Sequence, residues 1–236
     1  MAVIRLVIAV LLLGTGGSQA QERLRFDVLF SGLKAGELEI AGRIENGRYS
    51  VAGRVESTGL VGFVRKVRYD ATTRGRVQSG RFVPELYTER ADTGQRKSEA
   101  EMAYRRGVPQ VKVYRPAREM DPDGVDPATQ GGALDPLTAL FDVLRARPGD
   151  AACSTSSRTF DGQRAARVDV ERVAAGEGTL VCQGNYQRIA GYSEEEMAER
   201  RVFPFTLTLA RNGGGAYEVR TVELQSLFGR TRLIRR

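Results

Sequence analysis

The 236-residue chain holds 36 Lys and Arg against 29 Asp and Glu, a formal charge of +7, with two cysteines and neither histidine nor tryptophan. The absence of histidine excludes Ser-His-Asp and Cys-His nucleophile systems, histidine-based zinc sites and histidine general bases. The basic excess is spread along the chain rather than gathered in a block, which reads as a solvated arginine-rich surface or as contact with anionic lipid headgroups.

Residues 1–20 have the order of a secretory signal peptide. Arg5 precedes the apolar run Leu6 to Leu13, Gly14 to Gly17 breaks it, and Ser18-Gln19-Ala20 ends in small residues two places apart. Cleavage is expected between Ala20 and Gln21, leaving 21–236 as a single domain. The run falls well short of the roughly 20 residues that span a bilayer, and none later in the chain is long enough. The expected product is therefore a soluble periplasmic protein with at most peripheral membrane contact, and export excludes a nucleic-acid partner. In an oxidising compartment Cys153 and Cys182 read as a disulfide; two free buried thiols are the alternative. No C-x-x-C is present, which argues against a redox-active dithiol.

From Leu24 the pattern alternates: Leu24, Phe26, Val28 and Phe30 are apolar between charged neighbours, as in a strand with one buried face. Ser31 to Lys34 is turn chemistry, and Ala35 to Ala41 continues the alternation. Asn46-Gly47 is a strong hairpin signal leading to Tyr49, Val51, Gly53 and Val55. Further strands are expected over Val64 to Val77, Phe82 to Tyr87 (where Pro84 implies an edge or a bulge), Ser98 to Tyr104, and around Val111 and Val113. Asp121 to Gly132 reads as a loop; its acids lack the spacing of an EF-hand.

One helix is predicted over 135–147. Asp135 suits the N-cap and Pro136 the first helical position. Leu137, Leu140, Phe141 and Leu144 share one face, Arg145 and Arg147 fall in the last turn, and Pro148-Gly149 stops the helix. Strands resume over Ser156–Phe160, Ala165–Val173, Thr179–Ile189, Phe203–Ala210, Ala216–Leu224 and Arg230–Ile234. Ser193 and Glu196 form a capping box over a short acidic turn. The fold class is mainly β: a long, curved antiparallel sheet, half-open and barrel-like, with one helix packed on its concave face. A closed barrel and a two-sheet sandwich are the alternatives.

The order of several short motifs resembles a known family. They are Gly32-Leu33-Lys34-Ala35-Gly36, Ser57-Thr58-Gly59-Leu60, Pro84-Glu85-Leu86-Tyr87, Asp135-Pro136-Leu137-Thr138, Asp161-Gly162, and Cys182 with Ile189-Ala190-Gly191-Tyr192. Together they resemble domain of unknown function 3108 (DUF3108), found in exported bacterial envelope proteins. The resemblance implies no catalytic residues, because the family has no assigned activity. Its β-rich shape is similar to the half-open barrels of periplasmic lipoprotein carriers, a likeness of fold alone.

No motif assigns a reaction, a cofactor or a metal. Asp135 with Thr138 is explained by a helix cap, Asp161-Gly162 by a turn, and Glu194 to Glu196 by a helix start. Gly213 to Gly215 lacks the residues of a phosphate loop. A carboxylate-only hydrolase is the catalytic class left open, without a particular pair to carry it. Phe63, Tyr69, Phe82, Tyr87 and Tyr104, with Leu137, Leu140, Phe141 and Leu144 of the helix, either line an apolar cleft or pack as ordinary core. The first case implies a non-catalytic binding or carrier protein for a lipid or other amphiphile. The second implies a structural or protein-interaction module of the envelope with a filled core.

Overall fold

The structure is a computed structural model describing residues 21–59, 62, 66–119, 121–227 and 229–236. The expected signal peptide, with Ala20, lies outside the described residues, and so does Phe63. Gln21 opens the first strand.

The N-terminal strands are β1 (Gln21–Phe30), β2 (Leu33–Glu45), β3 (Arg48–Ser57), β4 (Arg68–Gln78), β5 (Arg81–Asp92), β6 (Lys97–Arg105), β7 (Val108–Pro109) and β8 (Val113–Arg115). Helix α1 (Pro136–Leu144) follows. Then come β9 (Thr155–Phe160), β10 (Ala165–Gly176), β11 (Thr179–Ala190), helix α2 (Glu194–Glu199), β12 (Val202–Arg211), β13 (Tyr217–Ser226) and β14 (Gly229–Arg235). They form one sheet in the order β7-β6-β5-β4-β3-β2-β1-β14-β13-β12-β11-β10-β9, with β8 also on β6. The first and last strands thus meet in the middle of the sheet, Phe26 opposite Arg235, and mid-chain strands form both edges.

The sheet must curl to make its contacts. β3 and β9 stand eight places apart in the strand order, about 38 Å on a flat sheet. Helix α1, only about 10–12 Å wide, touches both. It sits close because two strands present no side chain beneath it. A Cβ on Gly42 would overlap the Phe141 ring, and one on Gly53 would lie 2.7 Å from Leu137 Cδ1. Small residues at those two points let the helix rest almost on the β2 and β3 backbones.

The two edges do not meet as a ladder. One segment bridges them: Gly132 N–H donates to Gly107 O at 2.8 Å beyond β6, and Leu134 makes a parallel bridge with Thr159 on β9. The result is a barrel-like sheet closed by a loop.

Four local readings are settled by the coordinates. The Asn46-Gly47 hairpin has both residues at positive φ, 50° and 71°, the type I′ conformation. Pro84 lies inside β5, where the register slips so that Gly75 faces Pro84 and Arg74 faces Leu86. It lies at a bulge and on a local edge, as expected: β6 pairs β5 only from Leu86 onward, so Pro84 owes no hydrogen bond there. The capping box of α2 is present, Glu196 N–H donating to Ser193 Oγ at 3.2 Å and Ser193 N–H to Glu196 Oε2 at 3.0 Å. Helix α1 stops at Leu144, short of the predicted 147. Arg145 is its extended C-cap, and Arg147 exchanges backbone hydrogen bonds with Tyr217. Arg147 precedes Pro148, which disfavours the helical conformation there, so the two arginines do not form a last helical turn.

Cys153 and Cys182 are disulfide-bonded, with Cα atoms 5.7 Å apart. Several outward arginines face acids directly across the strands: Arg54 with Asp70 at 2.7 Å, Arg90 with Glu99 at 3.0 Å and Arg232 with Glu223 at 3.1 Å. Each exposed pair contributes only about 0.2–1 kcal/mol. They do account for an arginine-rich surface that is locally neutralised.

Candidate functional site

Most of the apolar residues singled out from sequence come together as core. Phe82, Tyr87, Tyr104, Leu137, Phe141 and Leu144 are buried in one cluster, with Tyr69 and Leu140 half-buried against it. Phe82 packs edge-on against Tyr49 and Phe141, ring centroids 4.8 and 6.1 Å away. The oily face of α1 occupies the concave surface, while Phe82 and Tyr69 also border the two openings described below.

Polar chemistry lies around that core in three places. The first is under the start of α1, where Asp135 is fully buried. Its Oδ1 accepts the Thr138 N–H at 2.9 Å. Its Oδ2 accepts the hydroxyls of Thr138 at 2.6 Å and Thr73 at 2.8 Å. Tyr49 OH lies 2.9 Å from Thr138 Oγ1. Thus the cap expected from sequence also ties the helix to β3 and β4. The buried Tyr104 hydroxyl has no hydrogen-bond partner among the described residues. Burial pushes the Asp135 carboxyl above the usual carboxylate range, against the pull of its hydrogen bonds.

This arrangement has a signed consequence. Asp135→Ala removes the cap and strands two buried hydroxyls, a loss of about 2–3 kcal/mol in a urea titration. Asp135→Asn keeps a good cap. Because the folded pKa of Asp135 is raised, its ionisation opposes folding as pH rises above the unfolded value of about 3.9. The Asn variant should therefore gain stability relative to the native protein between pH 4 and pH 7. A difference that stays flat with pH would contradict a raised Asp135.

The second place is a latch across the closing loop. Lys112, its side chain 4% exposed, pairs with Glu89 Oε1 at 2.9 Å and donates to Asp161 O at 2.8 Å. Glu89 Oε2 accepts from Tyr87 OH at 2.7 Å and from Tyr69 OH. Burial alone would raise the Glu89 carboxyl; the Lys112 charge and the hydroxyls outweigh it and hold it low. These groups border a cavity of about 460 Å³, yet the acid and the base are each satisfied by the other. The arrangement fastens β5 to the β9–β10 turn.

The third place is an opening of about 910 Å³ between the β4–β5 turn, the end of α1 and strands β9 to β11. Its lining is polar and includes Arg81, Arg145, Arg147, Arg158 and Arg172 against Asp142, Asp169 and Glu171. Arg147 is turned back onto the Asp142 carboxylate and carbonyl, and Arg145 Nε reaches Asp142 Oδ1 at 3.3 Å. Asp169 is held by Arg167 at 2.8 Å. Arg81 has no ion-pair partner among the described residues, and Arg158 donates to the neutral Gln130 Oε1 at 3.0 Å. Arg81 and Arg158 thus leave guanidinium charge in the opening, alongside the Glu171 carboxylate, which has no ion-pair partner among the described residues. Ser157 Oγ, also in the lining, is buried without a hydrogen-bond partner. Sequence reading missed the site because it is assembled from six separated segments of ordinary strand, turn and helix-end composition. Among the described residues no group of three or more His, Cys, Asp or Glu is placed to hold a metal ion. No helix there is long and apolar enough to cross a membrane.

One antiparallel sheet wound about a single helix and closed by a loop defines a class of barrel-like proteins. The family model described as protein of unknown function (DUF3108) matches residues 25–187, and the chain belongs to that family. Among solved structures it is similar to a β-barrel-like protein of domain of unknown function DUF1849 from Brucella abortus. The TM-score is 0.53 at 12% identity, over 91% of this chain and 95% of that one. At that identity the likeness is one of fold. No curated protein matches the chain.

Proposed function

We propose that the protein is an exported, non-catalytic interaction module of the bacterial envelope, which holds a partner in the arginine-lined opening. A filled core carries this reading. An amphiphile carrier needs apolar room between α1 and the sheet, and Phe82, Tyr87, Phe141 and Leu144 take that room. The open space that remains is polar, with Arg81 and Arg158 unmatched by acids. Catalysis is disfavoured by the absence of histidine and by the mutual pairing of Glu89 with Lys112.

The test is photocrosslinking in intact cells from a reactive side chain placed at position 81, with a matched probe at the outward-facing position 54. A reproducible protein adduct from 81 alone, in the periplasmic fraction, is the expected result. Recovery of no adduct, with a fatty acid or lipid co-purifying instead, would return the assignment to a carrier.

A further inference from the structure

The opening is also the place where the sheet stops short of its last hydrogen bonds. β9 pairs β10 only from Thr155–Val170 to Phe160–Ala165, while β10 runs on to Gly176. On its other side β9 is half covered. Leu134 N–H donates to Arg158 O at 2.8 Å, and Phe160 N–H donates to Leu134 O at 2.9 Å. Those bonds fix which backbone groups face outward. Alternate residues of a strand direct their N–H and C=O to the same side, so the Ser156 N–H and C=O share the edge used by Arg158 and Phe160. Among the described residues nothing continues the cover toward Ser156, because the chain before Leu134 turns off at Gly132 to reach Gly107. Ser154 and Ser156 are exposed, and both line the opening.

An unpaired strand edge beside a cleft is a template for one more strand. Natural sheets blunt such edges with charge, proline or cover. Here the cover ends at Arg158, β9 carries no proline, and the opening beside it holds five arginines against Asp142, Asp169 and Glu171, with Arg81 and Arg158 outside any ion pair among the described residues. They deter a basic segment and attract an acidic one.

Resting on the interaction reading above, we propose that the occupant is an extended, acidic segment of a partner protein. It adds to the β9 edge at Ser156, where the outward backbone N–H and C=O supply hydrogen bonds and Arg81 and Arg158 select acidic side chains.

The probes are an alternating Glu-Val octapeptide, its Lys-Val counterpart, and the Glu-Val peptide methylated at alternate backbone nitrogens in either phase. Binding is read by fluorescence anisotropy at low and moderate salt, with amide exchange of Ser156 as a local reporter. The acidic peptide should bind, weaken with salt and protect the Ser156 amide, and the Lys-Val peptide should not bind. One methylation phase should lose at least tenfold in affinity while the other is spared. Ser156→Pro, which removes the outward N–H, should lose a similar factor, and the double variant Arg81→Glu/Arg158→Glu should abolish the acid preference. The methylated peptides read strand addition on the native protein even if a variant folds poorly. Equal binding in both phases, without Ser156 protection, would overturn strand addition and leave the cleft as a partner site. Concentration-dependent dimers lost in Ser156→Pro would make the occupant a second copy and overturn the acidic-partner assignment. Failure of every peptide, alongside position-81 adducts in cells, would sink the peptide proposal while sparing the interaction module.

Discussion

Replacing Phe141 with Ala is expected to cost about 3–5 kcal/mol of folding stability, at the upper part of the range for a buried aromatic. The reason lies in what surrounds the ring. Phe141 is 1% exposed, and on the β2 side it meets Gly42, which has no side chain to move into a hole. On the other side Phe82 is held by Tyr49 in an edge-on contact. Relaxation would therefore need backbone movement of β2, and the size of the loss depends on how far a site can collapse. Urea titration at constant pH measures it. The cleft should respond as well, because Arg145 lies over the Phe82 ring, 5.3 Å from its centroid. A cost under about 1 kcal/mol would mean that α1 lies on the sheet without filling it, and the carrier reading would regain its cavity.

Much of this arrangement is legible in the sequence, and the illegible parts share a cause. Alternation found the strands because one face of each is buried: Leu24, Phe26, Leu38 and Ile40 are all at most 5% exposed. Asp135-Pro136 marked the helix start because a cap is a local hydrogen-bond problem. What alternation cannot report is which strands meet. The pairing of β1 with β14 joins the ends of the chain, and no residue in either strand encodes the distance. The helix end was misjudged for a related reason, since Arg147 is claimed by Tyr217, a partner seventy positions on. The closing loop inverts the usual rule altogether. Val111 and Val113 are 62% and 51% exposed, while Lys112 between them is buried. A buried lysine is affordable only where a carboxylate such as Glu89 waits for it, and that acid lies on another strand. The polar opening was invisible for the same reason: its arginines become a site only when the sheet has curled.

Removing the disulfide, by Cys153→Ala with Cys182→Ala, is expected to lower stability by about 3–4 kcal/mol on the chain-entropy account for two residues 29 apart in sequence. Its position predicts more than that total. Cys153 precedes β9 and Cys182 sits on β11, so the bond reaches past β10 and fastens the entry of an edge strand to an interior one. β9 has six residues and, at its near end, one ladder partner. Elements with few such contacts open first. Without the bond, amide exchange should quicken over Thr155–Phe160 before it quickens at the β1–β14 junction, where each strand is paired on both sides. A uniform acceleration across both regions would show that the bond stabilises only by limiting the unfolded chain. A local one would tie the redox state of Cys153 and Cys182 to the very edge on which the acidic segment is proposed to add. Binding of the Glu-Val octapeptide should then fall in the disulfide-free variant even at temperatures where its remaining strands stay folded.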